Sequence, residues 1–335
     1  MTTTGRIIVL VVAASALVTL TLIGMHYLRP PPSTGPYGEV LPPDKPPVEI
    51  ETPPLGSEKV SGTLSRRVPD TFSDQGDVKA SLAGGPGAAP AGGVAAATEA
   101  AADDGLALAA SGRIIQAQVR LSQALRAGID GPKGKAVREA LGNLAGRAQL
   151  SGARLPDDPY SKSYQVVKGD SVTRIGAKFL IPNELVMKLN GLASPAINAG
   201  QTLKLIQGPV NVEIFKDRHE LQAWLGDVCI RVYPAAVGKG NSTPEGSFVV
   251  KSKMKNPPYQ PQHKAKSEFR EGGAADNPLG SRWIDLGDHY GIHGTIDPAS
   301  IGHDVSEGCI RLHNKDVEEL WDMLAPGAAK VTIRP

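Results

Sequence analysis

The N-terminal stretch between Arg6 and Arg29 contains no Asp, Glu, Lys or Arg, and its 22 residues are predominantly apolar. At 1.5 Å per residue, such a helix is about 33 Å long, enough to cross a hydrocarbon core of about 30 Å. A cleaved signal peptide would have a shorter apolar region and a small-x-small cleavage site, whereas HYLRPPP follows here. The sequence therefore predicts one uncleaved transmembrane helix over residues 1–29. Basic residues flank it on both sides, so they do not decide its orientation.

A long proline- and glycine-rich region follows this helix. Ten of the 25 residues from Pro30 to Pro54 are proline, which favours an extended polyproline II chain of roughly 78 Å. The remainder, up to residue 97, is rich in Gly and Ala and has few side chains to bury. We therefore interpret residues 30–97 as a disordered linker that separates later domains from the membrane.

Net charge and cysteine content exclude two classes of protein. The formal charge is only +2, so no global field favours binding to a nucleic acid, and we expect no nucleic-acid partner. Two cysteines cannot form the disulfide framework of a small secreted domain.

Residues 98–155 have the pattern of an α-helical hairpin. Apolar pairs at i,i+4 spacing mark a first helix, which Gly128 ends, and Pro132 suits the first turn of a second helix. The segment QAQVRLSQALRAG resembles a tetratricopeptide-type unit. Because such arrays need about three repeats, a packing collar or interaction stub is the favoured interpretation.

Residues 162–207 predict a β-α-α-β module. YQVV alternates as a strand, Ser171 can cap one helix, Pro182 opens a second helix, and GQTLKL alternates again. This segment resembles a LysM module, a small fold that binds glycans containing N-acetylglucosamine. The matching positions are Tyr164, Val166, Gly169, Asp170, Ile175, Asn190, Gly200, Gln201 and Leu203. The resemblance implies glycan contacts near Gly169–Val172 and Leu192–Ala199. The alternative is a folded spacer without glycan affinity.

Residues 209–335 change to period-2 alternation, as in VNVEIF and DVCIRV, with Gly and Pro between the runs. KDVEELWDML then predicts one amphipathic helix near the C-terminus. The pattern indicates a mostly-β domain, and Cys229 within it is interpreted as a small buried hydrophobic residue.

Cys309 has a different setting, between Gly308 and the β-type run IRL, with His293 sixteen residues earlier. A cysteine is only a few per cent thiolate at neutral pH, so a nucleophile needs a nearby base or positive field, and an imidazole supplies both. Peptide N–H groups at Gly308 and Cys309 are candidates to hold an oxyanion. The pattern favours a Cys–His pair that attacks an acyl carbon.

A zinc site is the competing interpretation, with His289, His293, His303 and Cys309 as ligands. Glycine flanks His293, however, and neither HExxH nor CxxC occurs, so the metal site is disfavoured. We expect no metal and no cofactor.

The stretch resembles the catalytic signature of the L,D-transpeptidases of the YkuD family. His293-Gly294-Thr295 is followed by Ser306-Glu307-Gly308-Cys309-Ile310-Arg311-Leu312, and upstream lie Thr-Pro-x-Gly at 243–246 and Asn-x-Leu-Gly at 277–280. Two departures are Glu307, where many members carry histidine, and Arg311, where some carry asparagine. The resemblance covers about 210–335 and implies a β-sandwich with a short C-terminal helix.

The resemblance also implies a role for each matching residue. Cys309 is the nucleophile and His293 the general base, and later the acid, with its ring oriented by the Gly294 carbonyl. The amides of Gly308 and Cys309 form the oxyanion hole. Ser306, Thr295 and Arg311 support the site or contact substrate, and for Arg311 a structural ion pair is an equal alternative.

Anchor, linker, glycan module and acyl-transfer domain together predict a multidomain enzyme on bacterial peptidoglycan, with stem peptides and glycan strands as partners. The cysteine releases D-alanine from a tetrapeptide stem and passes the acyl group to an amine. An L,D-carboxypeptidase, a wall-binding scaffold without activity and a metallopeptidase are the alternatives. This function places the catalytic domain outside the cytoplasmic membrane.

Overall fold

The computed structural model describes residues 91–260 and 268–335. The predicted membrane helix over 1–29 and most of the predicted linker lie outside these residues. Within the described ranges, no helix is long and apolar enough to cross a membrane.

From residue 91 onward, where the description of the chain begins, three helices precede the first strand, whereas the sequence predicted a hairpin of two. They are α1 (Ala91–Ala110), α2 (Ile114–Arg126) and α3 (Gly131–Arg147). Ten of the 20 residues of α1 are alanine, the residue with the highest helix propensity, so this stretch is helical rather than part of the linker. The predicted hairpin over 98–155 is therefore wrong in its number of helices, and the helical region begins at Ala91 instead of Thr98.

The β-α-α-β prediction for the next segment is confirmed. Its elements are β1 (Ser161–Gln165), α4 (Val172–Phe179), α5 (Asn183–Leu189) and β2 (Thr202–Ile206), and the two strands pair antiparallel. Ser171 caps α4, because its hydroxyl accepts a hydrogen bond from the amide of Arg174 at 3.2 Å.

The mostly-β prediction for the remainder is also confirmed. One sheet has five strands in the order β5-β4-β3-β13-β7, and a second has four in the order β12-β10-β9-β8. The five-stranded sheet contains β3 (Val210–Phe215), β4 (Glu220–Leu225), β5 (Val228–Pro234), β7 (Gly246–Val249) and β13 (Lys330–Arg334). The four-stranded sheet contains β8 (Ser252–Lys255), β9 (Arg282–Gly287), β10 (Tyr290–His293) and β12 (Ile310–Arg311).

Among its described residues, this domain also contains a short parallel pair of strands and one α-helix. The pair is β6 (Val237–Gly238) with β11 (Asp304–Ser306), and the helix α6 spans Asn314–Met323. Apolar side chains of both larger sheets and of α6 share one hydrophobic core, which fixes the four-stranded sheet on one side only. The opposite face of that sheet remains available for chemistry.

The helical region and the LysM-like module both pack on the β domain rather than standing apart. The core continues from β2 into β3, through Ile206 and Val210, both fully buried. Lys204 of β2 is 1% exposed and donates to the carbonyl of Ala148 at the end of α3 at 2.6 Å, where the helix dipole favours a cation. The three parts therefore share buried surface, and deleting one would expose the core of another.

Candidate active site

The two faces of the four-stranded sheet have opposite character. The core face carries isoleucines that are fully buried: Ile284, Ile292 and Ile310. Because side chains alternate along a strand, their neighbours point to the other face. Strand pairing sets Trp283 opposite His293, and His293 opposite Arg311. Cys309 directly precedes β12, and continuing the parallel register places it beside Gly291 on the same face as His293.

His293 is held in one orientation and one tautomer. Its side chain is 4% exposed, and Nδ1 lies 2.7 Å from the carbonyl oxygen of Gly294, the contact that the family resemblance implied. A carbonyl can only accept, so Nδ1 carries the hydrogen and Nε2 keeps its lone pair. The ring stacks on Trp283 with centroids 5.8 Å apart and planes 24° apart. In this tautomer, Nε2 is the ring atom that can accept a proton.

Asn314, the first residue of α6, fixes the peptide that supplies this acceptor. Its Oδ1 accepts from the Thr295 amide at 3.2 Å, and its Nδ2 donates to the Thr295 carbonyl at 3.0 Å. The C=O and N–H of a trans peptide point in opposite directions, so holding the Thr295 amide turns the Gly294 carbonyl toward His293. A Cβ atom on Gly294 would collide with the side chain of Asn314, so a larger residue there would displace Asn314 from the Thr295 peptide.

Thr295 shapes the loop and does not reach into the site. Its hydroxyl donates to the carbonyl of Asp297 at 3.2 Å and accepts from the Asp297 amide at 3.0 Å. Thr295 is thus a supporting residue.

A tight turn from Ser306 to Cys309 carries the thiol. Ser306 is 3% exposed, and its hydroxyl donates to the Cys309 carbonyl at 2.6 Å and accepts from the Gly308 amide at 3.1 Å. Thr243 donates to the Gly308 carbonyl at 3.0 Å. Gly308 has φ of 131°, and a Cβ there would lie 2.7 Å from the ring of Tyr290. Only glycine fits this position.

These bonds bear on the oxyanion hole that the resemblance implies. The Gly308 amide is already used by Ser306, so it is not free to bind an oxyanion in this arrangement. The Cys309 amide has no hydrogen-bond partner within residues 91–260 and 268–335. Of the two amides, only that of Cys309 is left to serve as a donor.

The thiol and the imidazole are both neutral at rest. Burial raises the pKa of the Cys309 thiol, although a backbone hydrogen bond from Gly291 and the charge of Arg311 act the other way. Burial lowers the pKa of His293 to about 4. Near neutral pH the site therefore holds a thiol and an uncharged imidazole instead of a preformed thiolate–imidazolium pair.

Arg311 lies in the same row as His293 and forms no ion pair with any residue that the structure describes. Its main chain is fixed by two hydrogen bonds to Ala236, both 2.9 Å. Its Nε is buried and lacks a hydrogen-bond partner among the described residues. The structural ion pair considered for Arg311 is therefore not formed there, and the guanidinium is available to an anionic group.

The other histidines near the turn contribute through their backbone. The carbonyl of His289 lies 3.7 Å from Cys309 Sγ, and that of His303 accepts from the Val237 amide at 3.2 Å. His313 precedes α6 as its N-cap residue. In the described part of the chain, no group of three or more His, Cys, Asp or Glu side chains is arranged to hold a metal ion.

Cys229 is buried as predicted, with none of its surface exposed. It belongs to the cluster in which α1, α2 and α3 pack on β4 and β5. Its amide donates to the hydroxyl of Ser122 at 2.9 Å, and burial raises the pKa of its thiol.

A thiol on a glycine turn, a buried imidazole with a fixed tautomer and one free amide define a cysteine acyltransferase. Comparison with protein-family models agrees with this class. The model of the L,D-transpeptidase catalytic domain matches residues 209–333 of this chain, and the model of the LysM domain matches residues 164–205. YkuD of Bacillus subtilis (strain 168) is 36% identical over 180 residues, which cover 51% of this chain and 98% of that protein. The chain belongs to the YkuD family of L,D-transpeptidases.

Two further relatives also match this chain. YkuD of Bacillus licheniformis is 35% identical over 182 residues, 51% of this chain and 98% of that protein. YqjB of Bacillus subtilis is 40% identical over 129 residues, 36% of this chain and 70% of that protein. Among solved structures, an L,D-transpeptidase from Mycobacterium smegmatis is similar with a TM-score of 0.33 and 20% identity, over 41% of this chain and 64% of that chain.

Proposed function

We propose that this chain is a peptidoglycan L,D-transpeptidase in which Cys309 is the nucleophile and His293 the general base. The observation that carries this assignment is the position of Cys309, whose amide is unpaired among the described residues and whose strand lies beside that of His293. A nucleophile, a base with a fixed tautomer and an oxyanion donor are the groups that acyl transfer requires.

In the first half-reaction, Cys309 Sγ attacks the carbonyl carbon of the amide that precedes the terminal D-alanine of a tetrapeptide stem. The thiol proton moves to His293 Nε2, and the π electrons of the carbonyl move to its oxygen. When the C–N bond breaks, the leaving amine takes the proton from His293. D-alanine departs and the stem remains as a thioester on Cys309.

In the second half-reaction, a side-chain amine of another stem attacks the thioester while His293 accepts its proton. The sulfur then leaves and is protonated again, and a 3→3 cross-link is formed. An amine on a wall protein would give attachment, and water would give carboxypeptidase activity. The acceptor therefore decides the product, and the residues of the acylation step serve all three outcomes.

Arg311 binds a carboxylate of the stem in this proposal. It lies in the same row of the sheet as His293, its Nε lacks a partner among the described residues, and it forms no ion pair there. A guanidinium matches a carboxylate in charge and in planar geometry. Arg311→Lys would keep the positive charge and lose the planar, bidentate geometry of the guanidinium, so it should raise KM more than it lowers kcat.

The LysM domain binds glycan strands and keeps the catalytic domain near its substrate. The two loops implied by the resemblance include exposed residues, at Gly169 and at Ala193–Ala196. Because this module shares buried core with the β domain, deleting 162–207 would disturb the enzyme itself. Replacing the exposed residues 193–196 with a Gly/Ser segment of equal length leaves Leu192 and Ile197 packed against the core, and it should weaken pelleting with sacculi while sparing turnover of a soluble tetrapeptide.

The apolar residues 7–28 anchor the chain in the bacterial cytoplasmic membrane, with the catalytic domain on the side of the cell wall. This location follows from the substrate, which lies outside the membrane, and from the length of the apolar stretch. Proteolysis of intact spheroplasts should then degrade the catalytic domain, whereas a cytoplasmic location would protect it.

The direct test is to incubate the full chain in detergent with a synthetic tetrapeptide stem and identify the products by mass spectrometry. Release of D-alanine together with a product of two joined stems supports transpeptidation. Release of D-alanine with only the shortened stem identifies carboxypeptidase activity. No release of D-alanine, with the protein folded, contradicts the proposal.

A further inference from the structure

The backbone of Gly308 and Cys309 is hydrogen-bonded at every polar group except the Cys309 amide, among the residues that the structure describes. The Gly308 carbonyl accepts from Thr243 at 3.0 Å, and the Gly308 amide donates to Ser306 at 3.1 Å. The Cys309 carbonyl accepts from the same serine at 2.6 Å. Of the four backbone polar groups of these two residues, only the Cys309 amide has no partner within the described ranges. Native structures leave few such groups unpaired, so an open donor beside a nucleophile is informative.

The hydrogen of the Thr243 hydroxyl can be assigned from its neighbours. The Gly238 amide lies 2.7 Å from Thr243 Oγ1 and can only donate to it. The Gly308 carbonyl, 3.0 Å away, can only accept. The hydroxyl has one hydrogen, so it accepts from Gly238 and donates to Gly308. Thr243 is 1% exposed, which keeps solvent from replacing this bond.

Thr243 is itself held by a buried lysine. Lys216 is 8% exposed, and its Nζ lies 2.6 Å from Glu245 Oε1 and 3.5 Å from the Thr243 carbonyl. It also donates to the side chain of Asn241. These contacts fix the loop between β6 and β7 on both sides of Thr243, so its hydroxyl has a defined place against the turn.

We propose that Thr243 is a positioning residue that aims the Cys309 amide at the oxyanion of the acylation step. The C=O and N–H of a trans peptide are antiparallel. Holding the Gly308 carbonyl on Thr243 therefore directs the Cys309 N–H to the opposite side, where the attacked carbonyl oxygen becomes an oxyanion as the S–C bond forms and the thiol proton moves to His293. This role rests on the proposed function and adds a residue to it that does not touch the substrate.

Two reagents separate positioning of the amide from integrity of the fold. A β-lactam acylates Cys309 through a carbonyl and forms an oxyanion, whereas iodoacetamide alkylates the thiol at a CH₂ carbon and forms none. Loss of a whole oxyanion donor lowers the rate by about 10²–10³, so for a misdirected donor in Thr243→Val we expect β-lactam acylation about 10- to 100-fold slower. Iodoacetamide alkylation should stay near the wild-type rate. Thr243→Ser keeps the hydroxyl and should restore acylation to near the wild-type rate.

Thr332→Val is the matched control, because it removes a threonine hydroxyl from β13 outside the site and should change neither rate. If Thr243→Val fails to fold, Thr243→Ala is compared with Thr243→Ser in the same way. Equal slowing of both reagents, or acylation by Thr243→Ser as slow as that of the valine or alanine variant, would overturn the positioning role. A wild-type chain that alkylates at Cys309 but is never acylated would instead contradict the proposed function.

Discussion

The two cysteines of this chain lie in the same β domain, and their surroundings predict different chemistry for them. Cys229 is in the interior of β5, covered by helices, and its thiol touches only protein. Cys309 lies on a glycine turn at the end of a strand, on the sheet face that the hydrophobic core leaves open. Burial raises the pKa of both thiols, so a lowered thiol pKa does not distinguish them. They differ in the base, the free amide and the access that only Cys309 has.

The comparison indicates that reactivity here depends on the backbone around the sulfur. Cys229 has its amide bonded to Ser122 at 2.9 Å, whereas the amide of Cys309 is left open by a turn that satisfies its neighbours. A nucleophile that is neutral at rest needs its proton removed as it attacks. The imidazole of His293, kept neutral by burial, suits that task.

Replacing each cysteine gives the largest contrast. Cys309→Ala should reduce D-alanine release to background, because the thioester can no longer form. Cys229→Ala should leave turnover nearly intact and cost about 0.5–3 kcal/mol of folding stability, since it trims a buried side chain. Turnover and urea unfolding of both variants measure the two effects. Similar losses of activity in two folded variants would refute the distinction.

Replacing the base comes next. His293→Ala should slow acylation of Cys309 by about 10²–10⁴, the usual range for a general base. His303→Ala serves as the control, because His303 contacts the neighbouring Val237 amide through its backbone carbonyl. Single-turnover labelling with a β-lactam measures the rate. A larger loss in His303→Ala than in His293→Ala would show that the base is misassigned.

The two regions should also respond to pH in opposite ways. The folded-state pKa of His293 is lowered from 6.5 to about 4, so between these values only the unfolded chain binds the proton. Stability should therefore fall by up to about 3 kcal/mol as the pH drops from 6.5 to 4. The raised pKa of Cys229 acts above pH 9, where the unfolded thiol ionises first and stability falls as pH rises.

Urea unfolding of wild type, His293→Gln and Cys229→Ala across pH checks both signs. His293→Gln should reduce the loss of stability at low pH, and Cys229→Ala should reduce the loss of stability at high pH. An unchanged acid slope in His293→Gln would mean that the imidazole is protonated in the folded state.

The smallest expected effect on activity comes from Asn314, which orients the Gly294 peptide behind the base. Asn314→Ala should lower kcat about tenfold, because the imidazole loses a fixed acceptor and small displacements of catalytic groups are costly. Asn211 offers a control for losing an asparagine–backbone hydrogen bond, because its side chain accepts from the Lys330 amide within the five-stranded sheet, away from the site. An equal effect of Asn211→Ala would reduce the role of Asn314 to general stability.

The sequence predicted the elements that local patterns encode. Alternation identified the β strands, and Ser171 and Pro182 located the two LysM helices. The number of N-terminal helices was missed because alanine and glycine together suggested a linker, although alanine alone favours a helix. The motif was enough to predict Cys309, His293 and the Gly294 carbonyl as site groups. The free Cys309 amide and the occupied Gly308 amide were not predictable, since they depend on Ser306 and Thr243 meeting the turn in three dimensions.

Residues that act through strand pairing were likewise beyond the sequence. Trp283 stacks on His293 only because β9 and β10 pair in that register. Asn314 reaches Thr295 because α6 begins beside the loop after β10. Neither residue carries a local signal of its role, so a single sequence offers no spacing or composition that would single them out.

The central claim is that the stem is transferred through a thioester on Cys309. Rapid acid quenching of the full chain during turnover of a tetrapeptide stem, followed by proteolysis and mass spectrometry, tests it directly. We predict a stem lacking D-alanine attached to the peptide that contains Cys309, with the Cys229 peptide unmodified. An adduct on Cys229, or D-alanine release with no adduct on Cys309 at any time, would contradict the account.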